Sequence, residues 1–455
     1  MIHNYKEAEK FLNTFINYEK KPFFSYRKSC KLERVFFLFK QLGVPYQDLN
    51  AIHIAGTKGK GSCAHFCAGF LSASGLDVGL YTSPHILSFR ERIKIISGRS
   101  LKQSLGKNCV RDRMISPGEV TRITEGFRLK LKKFQMLPEL GKVSFFEIYT
   151  ALAFKYFADK KLEINVIETG LGGRLDATNV IDPSVSIITH IGYDHTDKLG
   201  DKIESIAYEK SGIIKKNVPV VSANQKPAVL KVLKKACKEK KAILFVLGQD
   251  FGVYNLRLGR NFSSFDFYFK EYKIKGIKIF LKGLCQVQNC ALALAGCLTL
   301  KNRNGLLSKD KIKNGAAGVR IEARFELARI NPFVVLDIAH NLSSFSALAD
   351  NIRDYLGGKK IIFVFACSRD KNARKMLAQI NYEKLIITSF KNPRCMEPEE
   401  ISRLCGLKDA FIINDSRRAL EKALSLCTSR HAIVVSGSIF LISEAKRFFS
   451  RYEKN

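Results

Sequence analysis

Ten residues, HIAGTKGKGS at positions 53–62, carry the most specific chemical signal in the chain. Gly56, Gly59 and Gly61 let the backbone curl so that successive N–H groups point inward, as anion binding requires. A helix beginning directly afterwards would add its positive N-terminal end. Lys60 then places an ammonium where the β- and γ-phosphates of a nucleotide would lie. Gly56, Thr57, Lys58, Gly59, Lys60, Gly61 and Ser62 are therefore the expected phosphate cradle, with Lys60 its catalytic cation. The general pattern G-x-x-x-x-G-K-[ST] is not met strictly. Ile54 stands at its first glycine, and Gly61 rather than Ser or Thr follows Lys60. Taken alone, the segment also fits a flexible strand–helix turn with surface lysines.

Other chemistries are poorly served. The 12 cysteines include no C-x-x-C. Cys63 and Cys67 stand four apart and Cys285 and Cys290 five apart, without partner pairs at zinc spacing. His65, between the first two, would face another side of a helix. Most of the cysteines read as small buried apolar residues. No Ser/His/Asp or Cys/His arrangement offers a side-chain nucleophile.

A loop of this kind needs a strand before it and a helix after it. Residues 52–55 read as a short buried strand and residues 60–73 as the helix. Strands over 78–83, 165–168, 186–191, 218–222 and 243–246 alternate with helices over 145–158, 202–213 and 228–240. This rhythm predicts a P-loop-type, mostly parallel sheet covered by helices. Alternating aromatic and polar residues over 252–280 suggest antiparallel hairpins, and 290–300 a helix. The strand–helix rhythm then restarts, with five strands (333–338, 361–365, 385–389, 411–414, 433–436) and helices between them. The expectation is an α/β ATPase domain over residues 1–322 followed by a smaller Rossmann-like α/β domain over 323–455, with the ligand site in the cleft between them.

Composition sets outer bounds. The 455 residues are 46% hydrophobic and 26% charged, an ordinary globular mix that excludes disorder as the main state. No apolar run reaches the ~18 residues of a membrane span. The opening MIHNYKEAEKFLNTFINYEK lacks the apolar core of a signal peptide, so the cytoplasm is the expected location. A net charge of +34 favours anionic partners. Nucleic acid is the first suspect, but lysine is scattered along the whole chain and tryptophan is absent. In the densest cluster, Arg99 to Lys133, only Phe127 could stack on a base, which argues against nucleic acid.

Counting the loop, seven blocks occur in order. They are GTKGKGS at 56–62, YTSPHILSFRERI at 81–93, FFEIYTALA at 145–153, ETGLGGRLDATN at 168–179, IGYDHT at 191–196 with LGD at 199–201, and EKSGII at 209–214. Together, over roughly residues 35–445, they resemble the folylpolyglutamate synthase/dihydrofolate synthase family of the Mur ligase superfamily, whose loop reads GT[NK]GKG[ST]. The resemblance implies ATP and Mg²⁺ as cofactors. It implies Ser83, Glu168 and His195 as the metal donors, each at or just past a predicted strand end, where ligands gather in open α/β sheets. It places Lys210 where the superfamily commonly carries a carbamylated lysine. Asn289 matches the asparagine of GxHQxxN, Arg324 the arginine of PGRFE and Asp337 the aspartate of DGAHNP. These are expected to serve the base, phosphate charge, and ribose or metal respectively. His340 is expected to line the active site, and Asp370-Lys371-Asn372 and residues 436–438 match DKD and TGS.

The implied activity is ATP-dependent amide formation through an acyl phosphate. L-glutamate would be joined to dihydropteroate, to the glutamate tail of tetrahydrofolate, or to both, by a monomer with no membrane partner. Departures occur at Cys63, Cys285, Glu322-Ala323, Ile338, Leu342 and Asn372, and a basic insertion-like segment spans about 97–117. Three alternatives compete, one of them a catalytically silent nucleotide-binding protein, disfavoured because Lys60, Ser83, Glu168 and His195 are all present. Another Mur-superfamily amino-acid ligase would usually carry a UDP-recognising domain before the loop, where there is little room. A basic P-loop ATPase stimulated by nucleic acid would account for the charge.

Overall fold

The computed structural model describes residues 1–19, 24–98, 111–134, 141–300 and 307–452. Its first sheet has eight strands: β1 (Ala51–Ala55), β2 (Asp77–Tyr81), β3 (Ile93–Ser97), β4 (Arg111–Met114), β5 (Ile164–Glu168), β6 (Val185–Ile188), β7 (Val220–Ser222) and β8 (Leu244–Val246). Their order is β4-β3-β2-β5-β1-β6-β7-β8. Every pairing is parallel except β2–β3 and β3–β4. Strands β1, β5 and β6 are buried along their whole length, as parallel strands covered on both faces must be. The chain leaves β1 towards β2 but leaves β5 towards β6, at the opposite end of the sheet. Connections that diverge in this way open a crevice at the carboxyl ends of β1 and β5.

The helix Lys60–Ala73 follows β1 and is buried on nearly every side. It lies between the sheet and the helices Leu284–Leu298 and Lys309–Gly318. Its small residues allow that close approach. Its fully buried Phe66 and Phe70 each contribute roughly 2–3 kcal/mol of apolar burial. Cys63, Cys67, Cys290 and Cys297 sit in the same core, in keeping with the apolar reading of the cysteines. Burial drives the thiols of Cys67 and Cys290 well above their ordinary value.

The hairpins expected over 252–280 form a separate antiparallel sheet of β9 (Phe251–Leu258), β10 (Ser263–Phe269) and β11 (Tyr272–Ile279). The second α/β unit comprises β12 (Glu326–Arg329), β13 (Val334–Leu336), β14 (Lys360–Phe365), β15 (Lys384–Thr388), β16 (Phe411–Ile413) and β17 (His431–Ser436). Their order is β12-β13-β17-β14-β15-β16, with only β12 antiparallel.

One local difference from the sequence reading has a physical cause. The helix expected from 290 starts at Leu284, which puts Asn289 inside it. The positive-φ Gly283 marks the break that periodicity alone did not reveal. The basic stretch 122–133 belongs to the helix Pro117–Phe134. There Arg122 pairs with Glu119 and Asp159 at 2.8 Å, Arg128 pairs with Glu125 at 2.8 Å, and Phe127 is only 2% exposed. Two of its arginines are thus paired with carboxylates, and its one aromatic ring is buried away from any base. Arg99, Lys102 and Lys107 of the insertion-like segment lie outside the described residues. Its flanking strands β3 and β4 pair antiparallel at the sheet edge. Among the described residues, no helix is long and apolar enough to cross a membrane.

Candidate active site

Two halves of the loop behave differently. In the first, Gly56 (φ +149°) is pressed against β6, where an added Cβ would overlap the Thr189 hydroxyl. The N–H groups of Thr57 and Lys58 donate to His190 O at 2.9 and 3.1 Å, and the Thr57 hydroxyl bonds both polar backbone groups of Gly192. This corrects the expectation that residues 56–58 point their N–H groups inward: Thr57 and Lys58 are tied to the neighbouring strand end. In the second half, Gly59 caps the helix at φ +85°. The N–H groups of Lys60, Gly61 and Ser62 lie in the first turn, where no intrahelical acceptor exists. The N–H groups left open to an anion are thus those at the helix end of the loop.

Lys60 approaches Glu168 at the end of β5, with Nζ 3.7 Å from Oε1. The Ser83 N–H donates to Glu168 Oε2 at 3.1 Å. Burial pushes the Glu168 carboxyl up, while Lys60 and the Ser83 N–H act against that. Ser83 and Glu168 therefore share one corner beside the helix start, and their donor atoms are hard oxygens. This suits Mg²⁺, which takes few protein ligands and keeps waters and phosphate oxygens for the rest. Among the described residues, no group of three His, Cys, Asp or Glu side chains converges. His195 has a left-handed backbone (φ +50°) and opens the short helix Thr196–Leu199. Burial lowers its imidazole to about 3, so the ring is neutral and retains a ligating lone pair. Its charged surroundings are Asp194, Lys371, Lys198 and Lys210.

Lys210, near the end of the helix Ile203–Ser211, is buried under the loop and donates from Nζ to Gly56 O at 2.8 Å. Burial, reinforced by Lys60, lowers its amine to about 7. A substantial neutral fraction at neutral pH is what carbamylation of a lysine requires.

The second α/β unit supplies the facing wall. Arg324 lies in a turn whose flanking residues, Ala323 and Phe325, both have positive φ (+53° and +50°). The Asp337 carboxylate accepts the N–H of Phe325 and of Ala339, each at 2.8 Å. Asp337 thus orients the Arg324 turn. The expected ribose or metal role must share a carboxylate already engaged on both oxygens. The Asn289 amide abuts Gly59, and its Nδ2 donates to Gln286 Oε1 at 3.3 Å. His340 bonds its own Ile338 O through Nδ1 at 2.9 Å, and burial lowers it to about 4. Its ring is neutral, with Nε2 available as an acceptor.

Sequence reasoning had Lys371 and the segment 337–341 in view but missed the contacts that join the two walls. Asn341 Nδ2 donates to Asp194 Oδ2 at 3.0 Å, and Lys371 Nζ lies 3.7 Å from Asp194 Oδ1. Burial alone would lift the Asp194 carboxyl, but His195, His340, Lys371 and Lys58 outweigh it and hold the group below the usual carboxylate range. Arg394 bonds Asp370 at 2.9 Å and Glu19 O at 3.2 Å, and the Glu19 carboxylate clamps the buried Arg92 at 2.7–2.8 Å. Asp194 lay in view inside IGYDHT. Arg394 and Glu19 carried no local signal, because their partners are distant in the chain.

A loop at the head of a buried helix, a carboxylate beside it and an arginine turn facing them from a second α/β unit define an ATP-dependent ligase of the Mur type. The Mur ligase middle domain matches residues 124–297 and the Mur ligase glutamate ligase domain matches residues 323–439. The chain is 30% identical to a dihydrofolate synthase/folylpolyglutamate synthase of Bacillus subtilis, covering 98% of this chain and 99% of that one. It is 29% identical to a folylpolyglutamate synthase of Lacticaseibacillus casei, with 98% of each chain covered. Among solved structures, the Mycobacterium tuberculosis folylpolyglutamate synthase complexed with ADP superposes at a TM-score of 0.86, with 29% identity and 98% of both chains. A folylpolyglutamate synthase solved with AMPPCP and folate gives 0.81 and 27% identity, over 98% of this chain and 99% of that one. The chain belongs to the folylpolyglutamate synthase/dihydrofolate synthase family, whose members form carbon–nitrogen bonds.

Proposed function

We propose that this ligase joins the α-amine of L-glutamate to the carboxyl of dihydropteroate, to the γ-carboxyl at the end of a tetrahydrofolate glutamate tail, or to both, at the expense of ATP. Residues 1–322 act as the ATP-binding domain and residues 323–455 as the glutamate-ligase domain. The observation that carries this reading is the corner formed by Lys60, Glu168 and the Ser83 N–H at the helix end of the loop. Its support from outside the chain is that relatives over its full length bind ADP, AMPPCP and folate.

The chemistry follows from the charges. A carboxylate and an amine do not condense in water, so the carboxylate takes the γ-phosphoryl group of ATP and becomes an acyl phosphate. The glutamate amine then displaces phosphate, with no enzyme nucleophile. Repulsion between anions is the barrier. The N–H groups of residues 59–62 and the Lys60 ammonium oppose it, and Arg324 adds charge from the far wall. Ser83, Glu168 and His195 would hold Mg²⁺, which when bound supplies further charge neutralisation at the phosphates. Lys210 secures Gly56, and on carbamylation would become an anionic oxygen donor. His340, its ring neutral, would line the active site near Lys58 and Asp194. Closure of the two domains would keep water from the acyl phosphate.

Phosphate release with ATP and glutamate, using either dihydropteroate or tetrahydrofolate as acceptor, tests the reading. Turnover with at least one acceptor is expected. ATP hydrolysis stimulated by nucleic acid and by neither folate would overturn it. Sedimentation in the same buffer checks the monomeric state included in the proposal.

A further inference from the structure

The two lysines of the loop part company. Lys60 turns to Glu168. Lys58 turns the other way, and its ammonium hydrogen-bonds Asn341 Oδ1 on the second α/β unit. Asn341 is itself held firmly. It caps the helix Leu342–Tyr355, accepting the Ser344 N–H at 3.1 Å and the Ser344 hydroxyl at 2.9 Å. Its Nδ2 donates to Asp194 Oδ2, back on the first unit, at 3.0 Å. Asp194 in turn accepts the His195 N–H at 3.1 Å and faces Lys371 at 3.7 Å. The Lys58 backbone is fixed too, through its N–H on His190 O. A lysine anchored at its backbone and engaged at its tip spans the gap between two rigid elements. Its electrostatic setting points the same way. Burial lowers the Lys58 amine to about 8, and Arg324, Lys371 and Lys60 add to that, opposed by Asp194. Four cations thus meet where the domains face each other, and a side chain already committed to an amide oxygen is the one least available to phosphate.

We propose that Lys58 is a positioning residue for the ligase reaction: by clasping Asn341 it sets the distance between the domains, and so brings Arg324 and His340 to the phosphate end of the loop, without itself holding phosphate. This rests on nucleotide binding at the loop, so the test measures that separately. Full-length wild type, Lys58→Met, Lys58→Gln, Lys58→Arg and Lys60→Met are compared for ADP affinity by calorimetry. Initial rates give kcat and the glutamate KM, and small-angle scattering gives compactness. Lys58→Met should keep ADP affinity within about threefold, lose kcat by about tenfold or more, raise the glutamate KM and expand the molecule. Lys58→Arg, which still donates to Asn341, should recover most of kcat. Lys60→Met should lose ADP affinity by about tenfold or more. If Lys58→Met does not fold, Lys58→Gln must show the same separation of kcat from ADP affinity. Loss of ADP affinity in Lys58→Met matching that of Lys60→Met, or an unchanged kcat, would overturn the inference. A wild type that does not bind ADP would instead overturn the function proposed above.

Discussion

Gly59 and Gly61 stand two residues apart in the same loop, yet replacing each with alanine should have very different consequences. Gly59 has φ +85°, a conformation that costs a residue with a Cβ roughly 1–2 kcal/mol. The added Cβ would also overlap the Asn289 amide, so either that side chain or the helix start must move. The backbone penalty alone corresponds to about a 5–30-fold change in an equilibrium constant, and displacement of Asn289 adds to it. Gly61 has no such constraint. Its φ is not positive, and an added Cβ would meet only Glu168 Oε2 at 3.4 Å, an ordinary contact. Alanine is also a better helix former than glycine by about 1 kcal/mol. Calorimetric titration with ADP should therefore show Gly59→Ala weakened by about tenfold or more, and Gly61→Ala changed by less than about threefold. Thermal melting of both proteins separates loss of the site from loss of the fold. Equal damage from the two substitutions, or normal ADP affinity in Gly59→Ala, would refute the reasoning that the cap at 59 shapes the phosphate end.

Other substitutions test the remaining parts of the site. Lys60→Ala should abolish ATP-dependent amide formation, by about a thousandfold, with an unchanged circular dichroism spectrum. Glu168→Ala should shift the Mg²⁺ titration of activity to much higher concentration; an unmoved midpoint would remove Glu168 from the donor set. Lys210 gives a pH test of definite sign. Its amine is lowered to about 7 in the fold, so protonating it there is unfavourable, and the resulting loss of stability is full below that pH. The loss fades as pH rises from about 7 towards the unfolded value near 10.4. In bicarbonate-free buffer, the melting temperature of Lys210→Met minus that of the wild type should accordingly be largest at pH 6 and shrink by pH 10. Asn372→Ala should cost about 1 kcal/mol of stability without altering KM, because Asn372 caps the helix Ala373–Leu377 by accepting the Lys375 N–H at 3.0 Å.

What the sequence made legible was whatever depends on neighbours in the chain. The strand 52–55, its glycine turn and the helix from Lys60 were readable because apolar period and turn residues act locally, and they appear as Ala51–Ala55 and Lys60–Ala73. The division of labour within the loop was not readable, since it depends on where His190 O and Asn341 arrive from other strands and helices. The departures from the family pattern make the same point from the other side. Ala323 stands where PGRFE has glycine, yet keeps φ +53° and is fully buried, in a turn braced by Asp337 through the Phe325 N–H. The left-handed cost of about 1–2 kcal/mol is offset there by packing and by that hydrogen bond, so Arg324 can face the loop without the glycine. Asn372, in place of the last aspartate of DKD, still supplies the oxygen a helix cap needs, and Lys371 beside it still reaches Asp194. In both cases the geometry has outlasted the residue type. The site is therefore better defined by which groups the two domains bring face to face than by how closely each motif matches its family's letters.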